Sequence, residues 1–142
     1  MAGWIVEDIP DQDSLFYRVP VDWLRRDLKV APGVFRENKG SMSTDWEKYS
    51  LATQTRSRQG RPERFAVMRL AVGKIREIEE LTVSHEPVQG VEGQPDNQAH
   101  TGVYGLESQS VGPADLGRKE RLRTALFERF KGWEIAPHAP TE

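Results

Sequence analysis

With 142 residues, 37% of them hydrophobic and 30% charged, the chain fits one domain with a single core and a polar surface. Its net charge of −2 gives no global attraction to nucleic acid or to an anionic membrane. The absence of cysteine excludes a disulfide framework, a thiolate nucleophile and cysteine-held zinc or iron–sulfur centres.

The first residues carry Glu7, Asp8, Asp11 and Asp13 and read as an acidic arm over 1–13, with neither the basic start nor the apolar run of a signal peptide. No stretch is long enough to cross a bilayer, so a cytoplasmic location is expected. Leu15 to Val19 is an aromatic and β-branched run closed by Pro20, which predicts a strand. Val21 to Arg26 predicts a short helical turn with Trp23 and Leu24 inward, and Val34-Phe35-Arg36 a second extended piece. Thr44 and Glu47 have capping-box spacing and predict a short helix carrying Trp46 and Tyr49. Thr53 to Glu63 has no periodicity and reads as an exposed loop rich in arginine.

Phe65 to Val72 is the strongest buried-strand signal, being short, apolar and followed by Gly73. Lys74 to Glu80 predicts a brief helix with Ile75 and Ile78 on one side, and Leu81 to His85 returns to an extended form. A Pro/Gly-rich connection then leads to a strand over His100 to Leu106. Pro113, with Asp115 as N-cap, introduces a terminal amphipathic helix that ends near Gly132. Short strands with small helices between them predict a single α+β domain over 14–131, built on a short mixed or antiparallel sheet, with 132–142 as a tail.

The segments Phe16-Tyr17-Arg18-Val19, Phe35 to Ser43, and Pro87 followed by Asn97-Gln98-Ala99-His100-Thr101-Gly102-Val103 resemble a loosely defined group of small bacterial proteins. Those proteins carry an aromatic-Arg-Val strand, a Phe…Gly-x-x-Ser segment and an Asn-x-Ala-His element. The resemblance covers roughly residues 15 to 106 and implies a bacterial origin and one compact domain, with no activity attached. This chain departs from the usual Asn-Pro-Ala-His in having Gln98. Arg18, Ser41-Met42-Ser43-Thr44 and Glu79 or Glu80 also resemble, distantly, the Arg, Ser-Thr-Ser and Glu pattern of mono-ADP-ribosyltransferases. In that family the arginine holds cofactor phosphate and the glutamate directs transfer. Helix capping explains the serine segment equally well.

Residues suited to chemistry converge only around the Pro/Gly-rich loop. If its flanking strands are neighbours, His85 and His100 meet and form an acid and base pair, with Asn97 as an oxyanion-type donor and Arg18 as an anion-binding group. That arrangement suits a phosphate-containing or nucleotide-like substrate. The competing reading makes Asn97 and His100 loop-stabilising residues and His85 a strand end. His85, His100 and Glu86 or Asp96 have the right atoms for a metal but match no compact ligand spacing, so no metal and no cofactor is expected.

Arg56, Arg58, Arg61 and Arg64 suit phosphate contacts, but the net negative charge disfavours nucleic acid as partner. Trp133, with Arg121 and Arg123, reads as a protein-contact surface. The leading expectation is therefore a protein-interaction or accessory module, and the alternative is a histidine-centred enzyme.

Overall fold

The structure, a computed structural model, describes residues 3–38, 40–106 and 113–138. Its strands are β1 (Ser14–Pro20), β2 (Met42–Trp46), β3 (Phe65–Ala71), β4 (Thr82–His85), β5 (His100–Tyr104) and β6 (Trp133–Ile135). Three helices join them: α1 (Ala52–Ser57), α2 (Val72–Arg76) and α3 (Pro113–Glu128). The strands form one sheet in the order β4-β5-β2-β1-β3-β6, with every neighbouring pair antiparallel. This is a small α+β domain. Among the described residues no helix is long and apolar enough to cross a membrane.

Strand alternation divides the sheet into two chemically different faces. Leu15, Tyr17 and Val19 of β1 share one face with Met42 and Trp46 of β2, Met68 and Leu70 of β3 and Val103 of β5, and all are buried in the core. Ile75 at α2, together with Ile78 and Leu81 just beyond it, and Leu122 and Leu126 of α3 complete that core. Each such large side chain contributes about 1.5–3 kcal/mol by leaving water. The hydroxyl of Tyr17 donates to the Val34 carbonyl at 2.7 Å and accepts the Arg36 N–H at 3.2 Å, and burial pushes its pKa up to about 12.

Several elements differ from the sequence expectation. Thr44 and Glu47 do not cap a helix, because Met42-x-Thr44-x-Trp46 alternates inward as β2 and is paired on both sides. Glu47 instead accepts the Ser14 N–H and holds Arg69. The exposed loop expected over 53–63 opens with α1, whose start is tied by the Gln54 side chain accepting the Leu51 N–H at 2.8 Å. Of the extended piece expected over Val34 to Arg36, Val34 instead closes a 3-10 turn, Pro32–Val34, while Phe35 is extended. Asp115 lies within the first turn of α3 rather than ahead of it.

The ends are part of the fold. Ile9 of the acidic arm is buried in the core, and the tail contributes β6, which pairs with β3. Gly105 is required where β5 ends: its φ is +105°, and an added Cβ would lie 2.0 Å from the Glu80 carbonyl oxygen.

Candidate functional site

The second face of the sheet carries Phe16, Arg18, Ser43, Asp45, Arg69, His100 and Gly102, because each stands one residue out of step with the core positions. At its centre is Asp45, a carboxylate only 4% exposed. One carboxylate oxygen accepts from Arg58 Nε at 2.5 Å and from the Thr55 hydroxyl at 2.7 Å, and the other accepts from Asn97 Nδ2 at 2.8 Å. Ser50 closes the network, sharing a hydrogen bond with Thr55 at 2.9 Å and accepting from Arg58 at 2.9 Å. A buried carboxylate survives only with such pairing, since desolvating an unpaired charge costs several kcal/mol. Helix α1 is thus fastened to the sheet by polar bonds rather than by an apolar stripe.

Arg18 projects from the same face and is half-buried. Its ring neighbour is Phe65, 5.0 Å from the guanidinium carbon, and its hydrogen bond to the Thr55 carbonyl is long at 3.4 Å. Among the described residues no carboxylate lies within ion-pair distance of it. Burial pulls its pKa below the ordinary arginine value, the nearby Asp45 charge opposes that, and Arg58 adds to it. Among the described residues, the bond to Thr55 is the one hydrogen bond its N–H donors make. Pairing between β1 and β2 stops after Phe16 and Asp45, so Arg18 and the exposed Ser43 flank a gap in the sheet.

β4 and β5 are neighbours, yet the two histidines do not meet. His85 stands opposite Thr101, which puts it on the core face, while His100 stands opposite Asp45 on the polar face. His85 is buried, its Nδ1 accepts the Glu7 N–H at 3.0 Å, and its Nε2 faces the Gln98 carbonyl at 2.7 Å. Those partners fix the neutral tautomer with the proton on Nε2. Its ring packs on Trp46 and Tyr49, with centroids 5.1 and 6.0 Å away. His85 thus anchors the N-terminal arm.

The ring of His100 is half-exposed, and its Nδ1 faces the Glu86 carbonyl at 3.0 Å. A carbonyl only accepts, so Nδ1 carries a proton, and in the neutral ring Nε2 holds the free lone pair. This is the orientation of an acceptor or general base. Beside it the Tyr104 hydroxyl donates to the Glu86 carboxylate, which raises the Tyr104 pKa, and the Glu86 side chain lies over Gly102.

Arg18, Asn97 and His100 therefore gather on one face around Asp45, Thr55 and Arg58; of these three, the sequence reading names only Arg58, and that for phosphate contacts. The inward alternation Met42, Thr44, Trp46 was the available signal for Asp45. The contact residues expected at the C-terminus are dispersed. Arg123 donates to the Phe35 carbonyl at 2.8 Å, Arg121 is held by Glu80, and Trp133 packs edge-on against Phe130 at 5.3 Å. Arg121 also lines a shallow depression of about 430 Å3 on α3, with Gly117, Glu120, Thr124, Ala125 and Glu128.

Of the transferase-like residues, Arg18 and Ser43 share the polar face, while Glu80 is tied to Arg121 of α3, which packs against the core face. Among the described residues no three His, Asp or Glu side chains form a group able to hold a metal ion.

The fold and this face together define a small α+β protein with an arginine-bearing polar sheet surface. No protein-family model, curated protein or solved structure matches the chain.

Proposed function

We propose that the chain binds a phosphate-containing, nucleotide-like ligand on the polar face of the sheet, with Arg18 as the anion-binding group. The observation that carries this reading is the half-buried Arg18 guanidinium, which has one long hydrogen bond and no carboxylate partner among the described residues. Burying a cation without its counter-charge costs stability, and a bound anion removes that cost. Arginine is the side chain suited to phosphate, because its planar fork donates two parallel hydrogen bonds. His100, oriented by the Glu86 carbonyl, and the exposed hydroxyl of Ser43 supply further contacts on the same face. By strand spacing alone, the Arg18 and His100 backbones stand roughly 12 Å apart, a span that suits a nucleotide-sized ligand better than a free phosphate.

The test is thermal unfolding of the wild-type chain and of Arg18→Gln, each with adenosine monophosphate and with inorganic pyrophosphate. The expected result is a ligand-dependent rise in Tm for the wild type that Arg18→Gln lacks. Absence of stabilisation by either compound would overturn the reading.

A protein-interaction role has one observation in its favour, the position of β6 at the end of the sheet with Trp133 in it. An edge strand presents one row of unpaired backbone groups to an incoming extended segment. Under this second reading, Trp133→Ala loses a partner that Arg18→Gln retains.

A further inference from the structure

We infer that the ligand met by Arg18 is part of a single nucleic acid strand, whose phosphates run from the polar sheet face onto the corner formed by α1 and the start of β3. This rests on the reading of Arg18 as an anion-binding group. Arg18, Arg56 and Arg64 converge at that corner around Phe65, and Arg58 and Arg61 belong to the same stretch of chain. Arg18 lies over the Phe65 ring, Arg56 donates to the Phe65 carbonyl at 3.0 Å, and Arg64 immediately precedes it. Asp45 is paired with Arg58, Glu63 lies in the same turn, and Glu47 and Glu134 are paired with Arg69 of the same face. Arginines therefore outnumber carboxylates at the corner, although they do not in the whole chain.

Part of the acidity that sets the net charge lies on the N-terminal arm. Glu7 is bound to Lys48 and Tyr49, and Asp11 to Arg76, along an arm whose Ile9 enters the core on the opposite face of the sheet. A charge total cannot report on such a segregated surface; the local field governs encounter with a polyanion.

Arg61 and Arg64 are exposed, and among the described residues no side-chain hydrogen bond or ion pair engages either of them. Both sit on one turn. Arg61 has φ +50°, between Gly60 at φ +78° and Pro62, and a left-handed conformation in a non-glycine residue costs of order 1 kcal/mol. The 3-10 turn Pro62–Arg64 then leads straight into β3. The turn thus presents both side chains to solvent. A single strand fits better than a duplex, because Arg18 and Arg58 are recessed while Arg61 and Arg64 stand out. A flexible backbone can dip between the two levels, whereas a duplex follows one path.

The experiment is fluorescence anisotropy over a salt series, with a labelled single-stranded oligoadenylate, its duplex with oligouridylate, and adenosine monophosphate as competitor. The proteins are the wild type, Arg18→Gln, and the double variant Arg61→Gln with Arg64→Gln. The expected result is that the single strand binds at least about tenfold more tightly than the monophosphate, with log affinity falling by about 0.7 per contacted phosphate for each tenfold rise in salt. The double variant is expected to shed about two such contacts, with unchanged Tm and unchanged competition by the monophosphate.

A strand that binds no tighter than the monophosphate, or a double variant with the wild-type salt slope, overturns the inference and leaves the Arg18 reading standing. Strand binding that is lost in the double variant but untouched by Arg18→Gln overturns the Arg18 reading instead. Equal or tighter binding of the duplex overturns the choice of a single strand, and no binding of any probe overturns both readings.

Discussion

Asn97 reaches from the Pro/Gly-rich loop to Asp45 on β2, a contact of 2.8 Å between residues 52 apart in sequence. The same side chain accepts the Ala99 N–H at 3.1 Å, and its backbone forms both hydrogen bonds of a bridge with Val88. Asn97 thereby holds the loop closed and satisfies one side of a buried carboxylate at once. Asn97→Ala is expected to cost about 1–3 kcal/mol, the price of an unsatisfied buried acceptor, measured as a shift in the urea midpoint. Asn97→Asp sets a second carboxylate against Asp45 and is expected to destabilise more.

The two histidines predict opposite phenotypes. His85→Ala removes partners from the Glu7 N–H and the Gln98 carbonyl and opens a cavity beside Trp46 and Tyr49, so a loss of about 3 kcal/mol is expected. His100→Ala touches a half-exposed ring and is expected to cost less than about 1 kcal/mol while weakening nucleotide binding. Paired denaturation and binding curves separate the two. Equal destabilisation by both substitutions would show that His100 is also structural.

The Glu7 anchor carries an acid-side signature. Its hydrogen bonds to Lys48 and then Tyr49 hold its pKa below the ordinary 4.5. A carboxyl depressed in the folded state stabilises fully above the unfolded value and loses that contribution as pH falls through the folded one. Glu7→Gln is therefore expected to be less stable than the wild type near neutrality, with the difference closing below about pH 4. Thermal melts of both chains across that range check it. A gap that persists unchanged in acid would place the effect in packing.

Tyr17 carries the alkaline counterpart. Burial raises its pKa from 10.0 to about 12, so the unfolded chain gives up this proton first as pH rises. Stability is fully present below pH 10 and declines through about pH 12, by roughly 1.4 kcal/mol for each pH unit in that window. Tyr17→Phe is expected to lack this decline while starting lower by the loss of its hydrogen bonds to Val34 and Arg36. Denaturant titrations at pH 9 and above test the difference between the two slopes.

Legibility in the sequence followed hydrophobic patterning. β1 and β3 were readable because their core residues sit in compact apolar runs, and the segment around α2 because Ile75 and Ile78 share a side. Helix α1 was not, since it has no apolar stripe: its buried residue is Thr55, held by a hydroxyl bond to Asp45. Thr44 and Glu47 show why letters at capping distance are ambiguous, for neighbours on both sides decided for strand.

Arg18, Asn97 and His100 were visible as candidates, but their common centre at Asp45 depends on strand order. The separation of His85 from His100 depends on register, where a slip of one residue exchanges the faces. No loop composition encodes that offset.

The seam between β1 and β2 has a further consequence. Only Leu15 with Trp46 and Phe16 with Asp45 are matched across it, whereas β1 and β3 are matched along all seven residues. The sheet therefore consists of two three-stranded wings, β4-β5-β2 and β1-β3-β6, joined by a short rung, by the bonds of Glu47 to Ser14 and Arg69 at one end of it, and by the packing beneath it. Changes in the angle between the wings would concentrate at that rung, and Arg18 and Ser43 flank the gap at its open end. A guest seated there would bridge the wings and act as a strut between them.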